Sequence, residues 1–142
     1  MADLKLRQRV TGATAVIVGT GKPRVTSDTN GEMDLATSVS EPGFNPLDLL
    51  YASLAACLVL SARMAAQRMG LADRLVRVSA HVGGEKAKDG LSRVARFDID
   101  LTIDGDFDEA NRQAIAEAAE NEICTVSNTI RGNPEFNLVV HP

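Results

Sequence analysis

The sequence predicts an α+β chain in which short antiparallel strands are grouped on either side of one long apolar helix. Three observations carry that expectation. The first forty residues are short β-prone runs separated by glycine and asparagine turns. A proline-led apolar segment follows from Asn45, and from Ala72 the pattern returns to alternating strands before helical periodicity resumes. Strands grouped in this way, rather than alternating one by one with helices, point to antiparallel pairing.

Taken in order, the opening strands are expected at Leu4 to Val10, Thr14 to Val18, Arg24 to Asp28 and Glu32 to Thr37. Gly12, Gly19-Thr20-Gly21 and Asn30-Gly31 lie between them as turns. Ser38 to Phe44 is a loop. Asn45-Pro46-Leu47-Asp48 then supplies an N-cap, a proline at the first helical position and a carboxylate at the third. The helix is expected to run to about Met69, where Gly70 ends it. Because Leu49 to Leu60 is apolar on every side, this helix needs cover all round, and a partner subunit is expected to supply part of it. Next come a strand with Val76, Val78, Ala80 and Val82 alternating, a turn over Glu85 to Gly90, and a strand with Ala95, Phe97, Ile99, Leu101 and Ile103 alternating. Asp106 with Glu109 has capping-box spacing for a second helix reaching about Glu122. A short third helix is expected from Cys124 to Arg131, stopped by Gly132-Asn133-Pro134, with a closing strand over Phe136 to Val140.

Composition narrows the function. The chain has 142 residues, a formal net charge of −4 and only five aromatic residues, four Phe and one Tyr. A net negative field repels phosphates and anionic lipid, and there are few rings on which to stack bases, so neither nucleic acid nor membrane is expected as a partner. The longest uncharged apolar stretch, between Asp48 and Arg63, is short of the roughly 20 residues of a membrane span. Two cysteines are too few for a secreted disulfide scaffold, and no export signal is visible at the start of the chain. A reducing cytoplasm is therefore expected.

Several candidate sites fail on spacing. Gly19-Thr20-Gly21 lacks a third glycine and a following helix, so it reads as a hairpin turn and not a phosphate cradle. His81, His141 and the two cysteines have no close pair of the kind zinc sites use, and neither a metal nor a cofactor is expected. No serine stands in a Gly-x-Ser-x-Gly elbow. The cysteines remain. Cys57 among Leu, Val and Ala has the ordinary reading of a small core hydrophobe. Cys124 lies where a helix is about to begin, and the amides there are expected to lower its pKa. Asp48 is explained by helix capping alone, and it lies about 180° around the helix from Cys57 and roughly 13 Å along it.

Gly43-Phe44-Asn45-Pro46-Leu47-Asp48-Leu49-Leu50, then Ser53-Leu54-Ala55-Ala56-Cys57, and much later Cys124-Thr125-Val126-Ser127, resemble the OsmC/Ohr superfamily of osmotically inducible and organic-hydroperoxide-resistance proteins, in a divergent branch. The resemblance covers nearly the whole chain and implies a single OsmC-like domain over 1–142. It implies an α+β fold with antiparallel sheets around a long buried central helix, built as an intertwined homodimer with active sites at the interface. It also implies a thiol-dependent peroxidase. Cys57 would be peroxidatic and Cys124 resolving, an organic hydroperoxide the substrate, and a lipoylated protein or small dithiol the reductant. The family's supporting glutamate falls on Leu47, with Asp48 the nearest acid; its arginine falls on Thr20, with Arg24 the nearest cation; and Thr125 stands where a proline usually follows the second cysteine. The carried-over catalytic set is thus Cys57, Cys124, Arg24 and Asp48. A cation is expected beside Cys57, because apolar burial alone raises a thiol's pKa. The rival readings are a dimer that binds an apolar small molecule without turnover and a redox-sensing dimer.

Overall fold

The structure, a computed structural model, describes residues 11–142. The strand expected at Leu4 to Val10, with Arg7 and Arg9, lies outside them. Two compact units divide the described chain, one ending at Leu49 and the other beginning at Leu50.

The first unit holds a three-stranded antiparallel meander, β1 (Ala13–Val16), β2 (Arg24–Ser27) and β3 (Glu32–Asp34), in that order. β1 is shorter than expected because the Val18 carbonyl is used in the turn, where it accepts from the Gly21 amide at 3.0 Å. The second turn places Asn30 at φ 71°, a conformation that asparagine tolerates better than most residues. The Ser27 hydroxyl closes it by accepting from the Gly31 amide at 2.9 Å. Beyond the loop, Asn45 and Asp48 form a reciprocal cap. The Asp48 amide donates to Asn45 Oδ1 at 2.9 Å, and the Asn45 amide donates to Asp48 Oδ2 at 3.1 Å. Two otherwise orphaned amides are satisfied there, which fixes the start of helix α1 (Pro46–Arg68).

Helix α1 is long and apolar enough to cross a membrane by length and composition, with a mean hydropathy of 1.7. Within the second unit it buries one stripe instead: Leu54, Leu58, Ser61, Ala62, Ala65 and Ala66, spaced three and four residues apart. Leu60 and Met64, on the other side, are 53% and 44% exposed. The described residues therefore cover only part of the helix expected to be buried all round. Gly70 at φ +70° ends it, with the Gly70 amide on the Gln67 carbonyl and the Leu71 amide on the Ala66 carbonyl, the paired bonds of a left-handed C-terminal cap.

Strands β4 (Leu75–Lys86) and β5 (Val94–Gly105) form one long antiparallel hairpin, registered Val78 to Ile103, Ala80 to Leu101 and Val82 to Ile99. An irregularity between Leu75 and Arg77 reverses the alternation at the start of β4. Leu75 consequently packs on the core, and Val76, expected to face inward, is 80% exposed. Helix α2 (Glu109–Ala118) is capped by Asp108 rather than the expected Asp106, its carboxylate accepting from the Asn111 amide at 2.8 Å. Asp106 is instead held by its own amide on the Arg74 carbonyl at 3.0 Å, and the helix begins later. Ile103, Ile115 and Ala119 close on Ala62, Ala65 and Ala66 to make the core at this end.

After α2 the chain makes one wide turn over Ala119–Ile123, with the Cys124 amide on the Ala119 carbonyl at 2.9 Å. The helical run that begins with α2 thus reaches Ile123, close to the expected Glu122, with its last turn widened, and helix α3 (Thr125–Arg131) follows. The closing strand expected at Phe136 to Val140 does not form. A lone extended segment has unpaired backbone groups unless a sheet edge receives it, and none among the described residues does. Phe136, Leu138, Val139 and Val140 are all exposed.

Candidate active site

The wide turn before α3 brings the two cysteines together. Leu54 and Leu58 of α1, Val82 of β4 and Cys124 form a buried cluster, against which Cys57, Tyr51, Phe97, Ile99, Val126 and Ile130 pack. Cys124 is fully buried, Cys57 is half-buried and packs against the cluster that holds Cys124, and both are free thiols. On one side Tyr51 meets Phe97 edge to face, with ring centroids 6.0 Å apart. Gly84 gives the Tyr51 hydroxyl its room, since a Cβ there would lie 2.9 Å from that oxygen and 2.6 Å from the Arg96 carbonyl.

The two sulfurs are electrostatically unequal. Burial pushes the Cys57 thiol up, but donation from the Val126 amide, the Cys124 thiol, the Ser61 hydroxyl and the Thr125 amide outweighs it, and the pKa falls below the ordinary value. Burial also pushes Cys124 up. Its own amide donor, Ser127, at 3.3 Å, works against that, yet the hydrogen bond given to Cys57 and the nearby negative charge leave it raised. The expectation that helix amides lower the pKa of Cys124 is therefore corrected. Cys124 is the N-cap of α3 and is helped by the Ser127 and Val126 amides, but Val126 and Thr125 also serve Cys57, where Val126 is the leading donor. Amide, thiol and hydroxyl donors lower the Cys57 pKa where a side-chain cation was expected.

Arg24 lies on β2 and is exposed, with its guanidinium on Glu32 at 2.6 Å and Asp34 at 3.2 Å. Those acids raise its pKa, the Glu32 hydrogen bond most of all. Asp48 is the capping partner of Asn45. Ser61 was not a sequence candidate, although its position four residues after Cys57 puts it on the same helical face. Beside the cluster is a cavity of about 200 Å³, lined by Leu54, Phe97, Ile99 and Ile130, with Ser127 and the Glu120–Arg131 ion pair at its edge. Among the described residues no group of His, Cys, Asp and Glu is arranged to hold a metal ion.

A fold of this element order with paired thiols between its central helix and a short later helix defines a family. The model of OsmC-like protein matches residues 39–139, and the chain belongs to the OsmC family. No curated protein matches it. Among solved structures, an OsmC-like protein from Mycoplasma pneumoniae superposes with a TM-score of 0.75 at 20% identity, over 88% of this chain and 89% of that one. An organic hydroperoxide resistance protein OsmC from Legionella pneumophila, 25% identical, gives 0.67 over 88% and 91%. The organic hydroperoxide resistance protein OhrB of Bacillus subtilis, 24% identical, gives 0.63 over 88% and 93%. At 25% identity the Legionella pneumophila protein supports a peroxidase-like redox role in outline, while the other two show the fold.

Proposed function

We propose that this chain is a thiol-dependent peroxidase that reduces organic hydroperoxides, with Cys57 as nucleophile and Cys124 as resolving thiol. The observation that carries the proposal is the packing of both cysteines in one apolar cluster, where hydrogen-bond donors lower the pKa of the half-buried Cys57 and burial raises that of the buried Cys124. Cys57 thiolate attacks the terminal oxygen of the hydroperoxide, and the O–O bond breaks. Sulfur takes the hydroxyl and becomes sulfenic acid, while the alkoxide takes a proton from water and leaves as alcohol. Cys124 thiol then attacks that sulfur, a disulfide forms, and the hydroxyl departs with the Cys124 proton as water. An external dithiol returns both cysteines to thiols and is itself oxidised to a disulfide. Apolar packing around the cluster favours an alkyl hydroperoxide over hydrogen peroxide.

The working unit of this proposal is a homodimer of single OsmC-like domains in a reducing cytoplasm. The uncovered Leu60 and Met64 of α1, with Leu138 and Val140 near the C-terminus, favour a second copy as their cover. Asp48 enters by fixing the start of the helix that carries Cys57. Arg24 enters as a charge that must leave Glu32 and Asp34 to reach a peroxide. A steady-state assay with an alkyl hydroperoxide, hydrogen peroxide and a panel of dithiols tests the reading. Alkyl hydroperoxide consumption that Cys57→Ser abolishes supports it; no consumption with any dithiol overturns it and favours the binding protein.

A further inference from the structure

We propose that Ser61 is a positioning residue for the Cys57 thiolate, its buried hydroxyl donating a hydrogen bond to the sulfur from one turn further along α1. The inference rests on the peroxidase reading for its purpose, but not for its test. Ser61 is only 4% exposed, and Leu58, Ala62, Ala65 and Ala66 are the other buried residues of this part of the stripe. A hydroxyl so placed needs a partner. A helical serine ordinarily returns its hydrogen bond to a carbonyl of the preceding turn, as Ser53 does to the Leu50 carbonyl at 2.8 Å in the same helix. The contact found for the Ser61 hydroxyl among the described residues is Cys57 Sγ at 4.0 Å.

That distance is the outer edge of a hydrogen bond to sulfur. Ionisation of Cys57 turns the sulfur into a pure acceptor with a full charge, which draws the hydroxyl in while the proton stays on oxygen. The first amides of α3 approach the same sulfur, and the Cys124 thiol does so from the cap of that helix. The thiolate is thus held between α1 and α3. Of the charged groups on the elements around this cluster, Glu120 and Arg131 hold each other at 2.6 Å. His81 and Asp100 face each other on the exposed side of the hairpin. Cys124 is the titratable group among the leading influences on Cys57. Alanine at position 61 would suit the helix and the alanine-rich stripe better than serine does. A residue that breaks the local rule at the sulfur is placed where function, and not packing, explains it.

The test is site-resolved alkylation of the full reduced chain by iodoacetamide across pH, read by mass spectrometry at Cys57. Ser61→Ala is expected to fold with an equal or higher thermal midpoint. Its Cys57 profile should move about one pH unit alkaline, so that alkylation is roughly tenfold slower at a fixed pH on the rising limb. Ser61→Thr, which keeps the hydroxyl, is expected to return the profile toward wild type. An unmoved profile in folded Ser61→Ala, or one displaced as far in Ser61→Thr as in Ser61→Ala, overturns the assignment. Alkylation needs no peroxide, so a moved profile in a chain that consumes no hydroperoxide would refute the proposed activity and leave the Ser61 assignment standing.

Discussion

At the scale of residues, everything turns on how one sulfur becomes an anion in an apolar cluster. Burial opposes the charge, and the opposition is overcome by donors, chiefly the Val126 amide. The sign of the pH dependence follows. Cys57 lies below the ordinary cysteine value, so its alkylation rate should rise to half its plateau at a lower pH than that of a free cysteine. Cys124 lies above, and should label later if at all. Site-resolved labelling over pH checks both at once, and a reversed order contradicts the assignment of roles. Because the donors are amides, a thiol and a hydroxyl, and Arg24 is held by Glu32 and Asp34, Arg24→Ala is expected to leave the Cys57 labelling profile in place. Cys124→Ser should leave a sulfenic acid on Cys57 that dimedone traps after one addition of alkyl hydroperoxide. These details were only half legible in the sequence. Cys57 and Cys124 carried the motif resemblance, but sequence spacing holds no record of the wide turn that joins them. The amides of Val126 and Thr125 leave no trace in side-chain identity, so a cation was expected where dipoles serve. Ser61 had a signal in its four-residue spacing from Cys57, hidden by the common use of serine in helices.

Elements follow from local chemistry more directly. Asn45, Pro46 and Asp48 marked the start of α1, and Gly70 marked its end, because capping is decided within a few residues. Asn45→Ala is expected to destabilise the protein by about 1 kcal/mol, visible as a thermal midpoint lower by a few degrees, with the fold retained. Expectation failed where a neighbour in space decides. Asp106 and Asp108 are both capping residues by type, and the Arg74 carbonyl that holds the Asp106 amide selects the second. Gly105 belongs to the same corner. A Cβ there would lie 2.2 Å from the Phe107 ring and 2.7 Å from the Arg74 carbonyl. Gly105→Ala should therefore destabilise by about 1–3 kcal/mol or more through overpacking, measured by denaturant midpoint. An unchanged midpoint would mean that Phe107 repacks freely.

For the whole molecule, the family was legible because its motifs sit at the two ends of the central architecture, the start of α1 and the turn into α3. What one chain does with its surface was less so. The apolar run Leu49 to Leu60 predicted cover on all sides, yet Leu60 and Met64 are exposed, and among the described residues Phe136 to Val140 finds no strand to pair with. A second copy is the proposed remedy, and sedimentation equilibrium should give a dimer at micromolar concentration. Its interface is expected to exceed roughly 2,000 Å², the range of obligate dimers. Leu60→Lys, on the uncovered face of α1, should shift the equilibrium toward monomer. A stable folded monomer in the wild-type protein would contradict the dimer and leave the thiol pair unaffected.

The central claim, that Cys57 and Cys124 are one redox pair driven by organic hydroperoxide, is tested most directly by adding one equivalent of cumene hydroperoxide to the reduced protein and analysing it by intact mass and peptide mapping. Loss of two hydrogens, an intrachain Cys57–Cys124 disulfide and one cumyl alcohol per chain are expected. Unchanged thiols with the peroxide intact would contradict it, as would equal consumption by Cys57→Ser.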